Sequence, residues 1–182
     1  MKTLLYVPRM FTRDELQTLL TEVPDDFTRT QDEFWTYVSD RLRAVVGQIR
    51  WVYTESDAFL SATTARDGVA VVVASLVASG VKAQVAVEPL LLAEVEAWRD
   101  LTRTSPSPVV HELYEDSVRE LGRHVVEVVD RTLKDGETGV LFLHPLLAIS
   151  FPDILRVIRL LPFDPQDYLA RYRVLLTKKL AT

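Results

Sequence analysis

His144 follows the short apolar run of residues 140–143 and directly precedes Pro145. An apolar run without polar alternation is typical of a strand that is buried on both faces. Pro145 ends such a strand, because proline has no N–H to donate to a sheet ladder. The sequence therefore places an imidazole at the carboxyl end of a buried strand, where open α/β sheets hold their ligands. His144 is the first candidate for acid–base chemistry.

Three carboxylates follow other predicted strands in the same way. Glu55 and Asp57 come after the β-branched and aromatic run 49–53, and Glu88 closes the run 82–87. Because parallel strands end at one shared edge, we expect these carboxylates and residues 9–12 to converge on His144. An imidazole beside carboxylates supplies an acid–base pair or part of a hard-metal site. The alternative is local: a strand-end His144 satisfied by backbone groups, loop capping by the Asp and Ser side chains of residues 54–57, and stabilisation of a helix N-terminus by Glu88.

No established motif accompanies these candidates. The six glycines form neither GxGxxG after a strand nor GxxxxGK[ST], and the sequence has no HExxH and no GxSxG. His111 and His124 lie on different faces of one predicted helix and cannot share an ion. The sequence thus assigns no metal and identifies no cofactor. Arg119 and Arg123 share a helix face that could meet a small anionic ligand, although pairing with neighbouring glutamates is the favoured interpretation.

The composition limits the class of protein. A chain of 182 residues with 48% hydrophobic residues is expected to form one α/β domain over residues 1–182. The absence of cysteine excludes disulfides, Cys-ligated zinc and thiol nucleophiles. With no signal-peptide pattern and no apolar stretch of about 20 residues, we expect a soluble, cytoplasmic protein without a membrane partner. A net charge of −5 with both signs interspersed disfavours nucleic acid.

Strand and helix patterns alternate along the chain. Strands are predicted at 4–7, 49–53, 82–87, 140–143 and 157–161, the last with a continued helix as the alternative. Residues 64–79 are ambiguous, because their valines favour a strand while their alanines and Gly80 favour a helix. We predict a helix there, since it would complete a βαβ crossover.

The remaining helices are predicted from their capping signals. One begins near Arg13 behind the capping box Thr12 to Glu15, and a second begins at the capping box Thr30 to Glu33 and ends at Gly47. Others begin at Pro89, cover 108–134, and follow Asp164-Pro165. This order predicts a single-domain, three-layer α/β/α sandwich with a mainly parallel, Rossmann-like sheet of four to five strands.

Two segments resemble a known hydrolase type. A first strand leading into a loop at 4–12, and a strand ending in LFLHP within 119–161 behind an arginine-bearing helix, resemble the erythromycin-esterase and TraB type of fold. That resemblance implies strand-end histidines and acids gathered at one edge. Phe11 stands where such proteins tend to carry a histidine, and Leu143 replaces their small turn before the late histidine. No catalytic assignment is carried over.

Two functions remain open. The first is a noncatalytic regulatory or protein-interaction module, in which an exposed aromatic surface at Trp35, Trp51 or Tyr168 joins a protein partner or a second copy of the chain. The second is a small-molecule-binding or hydrolytic enzyme with its pocket at His144, Glu55, Asp57 and Glu88. We favour the first, because the chain carries many core-forming signals and few site-forming ones.

Overall fold

A computed structural model describes residues 1–20, 22–60 and 68–180, the last six of these as backbone only. Five strands form one sheet in which every described pairing is parallel. Along the sheet the strand order is β3-β2-β4-β1-β5. The strands are β1 (Lys2–Pro8), β2 (Ile49–Thr54), β3 (Lys82–Val85), β4 (Thr138–Leu143) and β5 (Leu155–Arg159).

Within the described residues, six helices cover the two faces of this sheet. They are α1 (Arg13–Leu19), α2 (Phe27–Val45), α3 (Gly68–Ala78), α4 (Pro89–Thr104), α5 (Pro108–Thr132) and α6 (Pro165–Leu180). Short 3-10 turns occupy Val46–Gln48 and Asp57–Phe59.

Side chains that alternate along β1 divide the core in two. Leu5 and Val7 pack with α1, α2, α3 and α6, whereas Leu4 and Tyr6 pack with α4 and α5. A strand sends successive side chains to opposite faces of its sheet, so each face needs its own helical cover. The predicted three-layer α/β architecture is confirmed.

Most of the predicted elements are present with shifted ends. The ambiguous segment is a helix over 68–78, and its predicted start at 64–67 lies outside the described residues. The fifth strand begins earlier than predicted, at Leu155, which pairs with Lys2, so the helical alternative is wrong. β3 ends at Val85, although the N–H of Ala86 still donates to the Thr54 carbonyl at 2.8 Å.

The second predicted capping box is wrong. Helix α2 begins at Phe27 behind Asp26, so Thr30 and Glu33 lie inside it. The physical reason is the core: the Phe27 side chain is 2% exposed and packs with α1 and α6, which extends the helix by a turn. At the other end, Gly47 lies inside a 3-10 turn without the positive φ expected of a glycine cap.

Candidate functional site

Three ionisable side chains meet at the carboxyl ends of the central strands. Arg9 directly follows β1, Glu55 follows β2 and His144 follows β4. These strands are neighbours in the order β2-β4-β1, so their ends lie side by side. Glu15, from the first turn of α1, completes the group. We call Arg9, Glu15, Glu55 and His144 the Arg9 cluster.

Arg9 is the centre of this cluster. Its Nε donates to Oε1 of Glu55 at 2.7 Å, while Nη1 and Nη2 donate to the two oxygens of Glu15 at 2.9 and 2.6 Å. The Arg9 side chain is 5% exposed, and its guanidinium lies 5.6 Å from the Phe59 ring centroid. Burial opposes its charge, but hydrogen bonding to Glu15 and the charge of Glu55 outweigh that effect and raise the pKa of Arg9.

Glu15 serves as both a helix cap and an ion-pair partner. Its Oε2 accepts the Thr12 N–H at 2.8 Å, while the Thr12 hydroxyl accepts the Glu15 N–H at 3.2 Å. This is the predicted capping box, and it also aims the carboxylate at Arg9. Burial alone would raise the pKa of Glu15, but the Arg9 hydrogen bonds and charge lower it to about 2.

Glu55 connects two strand ends through its two oxygens. Oε1 is bonded to Arg9, and Oε2 accepts the backbone N–H of His144 at 2.5 Å. Burial raises the pKa of this carboxyl group, whereas Arg9 and the His144 N–H oppose that rise. Glu55 thus connects the chain behind β1 with the end of β4 through its two carboxyl oxygens.

The His144 ring is held in one orientation. Its Nδ1 accepts the Leu146 N–H at 3.1 Å, so the proton of the neutral ring belongs on Nε2, which lies 3.5 Å from Oε1 of Glu15. The Phe11 ring packs against the imidazole in a T-shaped arrangement, with centroids 5.6 Å apart. Burial, together with the charge of Arg9, lowers the pKa of His144 to about 4. The imidazole is therefore neutral at pH 7.

Two of the predicted site residues lie apart from His144. Asp57 and Glu88, together with Glu55, line a crevice of about 560 Å³ between the ends of β2 and β3. His144 does not line it. Helix α3 follows β2 on one face and α4 follows β3 on the other, which is the arrangement that opens a crevice in a parallel sheet. The structure therefore brings Glu55 next to His144 and places Asp57 and Glu88 in a neighbouring crevice that Glu55 also lines.

Polar contacts within this crevice are few. Glu88 has a buried Oε2 atom with no hydrogen-bond partner among the described residues. Asp57 accepts one long hydrogen bond of 3.4 Å, from the Ser56 hydroxyl. No Lys, Arg or His is among the described residues that line the crevice. The charged side chains among its described lining residues are the carboxylates of Glu55, Asp57, Glu88 and Glu96.

Sequence reasoning did not assign Arg9 and Glu15 to the site. Arg9 lay inside a segment expected at the sheet edge, and Glu15 was interpreted as a cap alone. The available signal was an arginine directly behind the first strand, followed six positions later by a carboxylate on the first turn of a helix.

None of the three aromatic residues that were predicted to form an exposed surface is fully exposed. Tyr168 is 2% exposed and belongs to the core, so its assignment to the surface is wrong. Trp35 is half-buried and packs against Phe34 and Phe142, with ring centroids 5.2 and 6.2 Å away. Trp51 is also half-buried, and it stacks on the buried Tyr53.

Neither a metal-binding group in the described residues nor a similarity to known proteins assigns a class to the site. Within residues 1–20, 22–60 and 68–180, no three His, Asp or Glu side chains are grouped so that they could hold a metal ion. In the same part of the chain, no helix combines the length and the apolar character needed to cross a bilayer. Comparisons with protein-family models, curated proteins and solved structures find no match.

Proposed function

We propose that this chain is a noncatalytic regulatory or protein-interaction module. The observation that carries the proposal is the Arg9 cluster, in which each charged group is bonded to another part of the protein. A catalytic acid or base needs a lone pair or proton that faces a substrate.

The Arg9 cluster has few lone pairs or protons that could face a substrate. The Nδ1 lone pair of His144 is occupied by a backbone N–H, and its remaining proton faces Glu15. Glu15 accepts from Arg9 and Thr12, and Glu55 accepts from Arg9 and His144. A base with a pKa of about 4 is also weak at neutral pH. These groups tie strand ends together.

An apolar helix face supports the interaction role. Helix α3 carries no charged side chain, yet Val71 is 53% exposed and Val77 is 46% exposed. Ala74 and Ala78 are exposed on the same helix. In a chain of net charge −5, an uncharged face is where a second copy meets least repulsion. We therefore take a second copy of the chain as the occupant.

The noncatalytic part is tested with chromogenic substrates. Wild-type protein and H144N are assayed for hydrolysis of p-nitrophenyl acetate and p-nitrophenyl phosphate, with folding checked by circular dichroism. The proposal expects both proteins to match the background rate. A wild-type rate above background that folded H144N loses would overturn it.

The interaction part is tested by sedimentation equilibrium over a range of concentrations. We expect the wild-type chain to associate and the V71E/V77E variant to stay monomeric, since burying two carboxylates in an apolar interface is costly. A wild-type chain that is monomeric throughout would contradict association through this face.

A second candidate function is small-molecule binding in the crevice of Glu55, Asp57 and Glu88. The buried, unpartnered Oε2 of Glu88 favours it, because a buried carboxylate oxygen gains from a donor that a ligand could supply. Val85, Val87 and Leu92 give the crevice apolar walls. An amine on a small apolar body matches both features.

Thermal-shift measurements with benzylamine, benzyl alcohol and benzoate separate this candidate from nonspecific binding. Benzylamine should stabilise the wild type, E88Q should reduce that shift, and the other two compounds should give less. No benzylamine shift, or an equal shift in E88Q, would reject a cationic ligand here.

A further inference from the structure

A second, larger cavity lies on the other face of the sheet from α3. It has a volume of about 760 Å³ and runs between α5 and the chain that follows β4. Its apolar walls include Tyr114, Val118, Val126 and Phe151. We call this cavity the α5 groove. Its volume falls in the range of about 300 to 1,000 Å³ that is typical of small-molecule sites.

Two guanidinium groups line the middle of the α5 groove. Arg119 and Arg123 are one helical turn apart and both belong to the lining. Arg119 is paired with Asp116 at 2.5 Å, in place of the neighbouring glutamates that the sequence suggested. Arg123 makes no ion pair within the described part of the chain, although Glu127 is one turn further along.

The carboxylates of the groove stand at its two ends. Glu115 and Glu127 also belong to the lining, and they are twelve residues apart on α5. At about 1.5 Å per residue this separates them by about 18 Å, with both arginines between them. Each carboxylate is one helical turn from an arginine, and Asp116 pairs with Arg119, so Arg123 is the guanidinium of this lining that has no ion pair within the described residues.

Further donors around the groove have no partner among the residues that the structure describes. The hydroxyl groups of Tyr114 and Ser150 make no hydrogen bond within the described residues. The backbone N–H groups of residues 148–151 likewise donate to no described residue. This segment follows the central strand β4, and Ile149 packs over Gly122 of α5, where an added Cβ would lie 3.4 Å from it.

We propose that the α5 groove binds a small aromatic anion. Its ring system lies against Tyr114, Val118 and Phe151, and its carboxylate, sulfonate or phosphate group is held by Arg123 and Arg119. Arginine pairs well with such oxyanions because its planar group offers parallel donors. The proposal is independent of the noncatalytic function, since binding here uses no member of the Arg9 cluster.

The test compares two probes that share one ring system. 1-Anilinonaphthalene-8-sulfonate carries a sulfonate, whereas N-phenyl-1-naphthylamine is the same body without it. Both are titrated by fluorescence into the wild type, R119A/R123A and R43A. Arg43 is the matched control because it too makes an i,i+3 ion pair on an exposed helix face, with Asp40 at 3.2 Å.

The wild type should bind one sulfonate probe per chain. R119A/R123A should weaken that binding by about tenfold or more, consistent with the loss of charge-assisted bonds, and leave the uncharged probe nearly unaffected. R43A should bind both probes as the wild type does. The variant V126W, with its folding verified by thermal melting, should weaken both probes by filling the groove.

Several results would overturn the proposal. They are no binding of the sulfonate probe by the wild type, equal weakening in R43A and R119A/R123A, or full binding by folded V126W. Preferential binding of a polyglutamate peptide, or chain association that buries the groove as seen by light scattering, would reassign this surface to a macromolecule.

Discussion

The backbone N–H of His144 donates a 2.5 Å hydrogen bond to Oε2 of Glu55, which stands 89 positions earlier in the chain. This bond joins the end of β4 to the end of β2, and the other oxygen of Glu55 joins both to Arg9 behind β1. Three neighbouring strands are therefore tied together at the edge where a parallel sheet usually holds a ligand. In this chain the central part of that edge is filled by the protein itself.

Replacing Arg9 should be strongly destabilising. R9A leaves Glu15 and Glu55 facing each other without their cation, and breaking a buried pair typically costs about 3 to 5 kcal/mol. R9K should fall between R9A and the wild type, because lysine cannot bond both carboxylates through a planar group. Urea unfolding measures the difference. The exposed R43A should change stability by less than about 0.5 kcal/mol, and an R9A effect that small would contradict the central role of Arg9.

Acid should weaken the fold through His144. Burial and the Arg9 charge lower the pKa of His144 to about 4, so the folded protein binds this proton less readily than the unfolded chain does. An unfolded histidine titrates near pH 6.5, so the free energy of unfolding should fall by roughly 3 kcal/mol between about pH 6.5 and pH 4 on this account. Above pH 6.5 the stability that depends on a neutral His144 is fully present.

Urea unfolding at a series of pH values checks this dependence. H144N removes the titrating group and should show a flatter profile between pH 6.5 and pH 4 than the wild type. H111N is the matched control, because His111 is exposed on α5, and it should keep the wild-type slope. Identical profiles for wild type and H144N would show that His144 is not held neutral by folding.

Tyr168 and Tyr172 should anchor the last helix. Both hydroxyl groups donate to the Asp26 carboxylate, Tyr168 at 3.1 Å. Burial would raise the pKa of Asp26, but these hydrogen bonds outweigh it and lower the pKa. Because a hydrogen bond to a charged group contributes about 1.5 to 3 kcal/mol, Y168F should lose up to that amount. Thermal unfolding measures this loss of stability. Y37F is the control and should have nearly the stability of the wild type, because the Arg41 guanidinium lies over the Tyr37 ring, which this substitution keeps. Equal stability of Y168F and wild type would contradict the anchor.

Gly139 should not tolerate a side chain. A Cβ at this position in β4 would lie 2.9 Å from Cε2 of Tyr53, whose hydroxyl is bonded to Thr132 at 2.7 Å. Overpacking of this kind typically costs about 1 to 3 kcal/mol, so G139A should unfold at lower denaturant than the wild type. G47A is the control, because no atom lies within 4 Å of its added Cβ. Equal loss in both variants would contradict the packing argument.

The strands could be predicted from sequence because their signals are local. Apolar runs followed by Pro8 and Pro145 mark the ends of β1 and β4, and both elements of the Thr12 to Glu15 capping box are used. The start of α2 was misplaced because Phe27 joins the helix through tertiary packing, which the local pattern at Thr30 does not show.

The site was harder to predict, because it depends on the order of the strands. No local pattern in the sequence shows that β4 lies between β1 and β2. This strand order places Arg9 and His144 beside Glu55, whereas Asp57 and Glu88 line the crevice between β2 and β3. The prediction that Tyr168 is exposed was wrong for a similar reason. Helical spacing shows that α6 has an apolar face, but it does not show which residues of that face the core covers.

The most direct test of the account is a nitrogen-15 NMR titration of the His144 ring, assigned with H144N. We predict a pKa well below 5, with Nε2 protonated and Nδ1 unprotonated at pH 7, as the Leu146 N–H and the Arg9 cluster require. A pKa at or above 6.5, or a proton on Nδ1, would contradict the claim that this imidazole is held in a structural role and would restore it as an acid–base candidate.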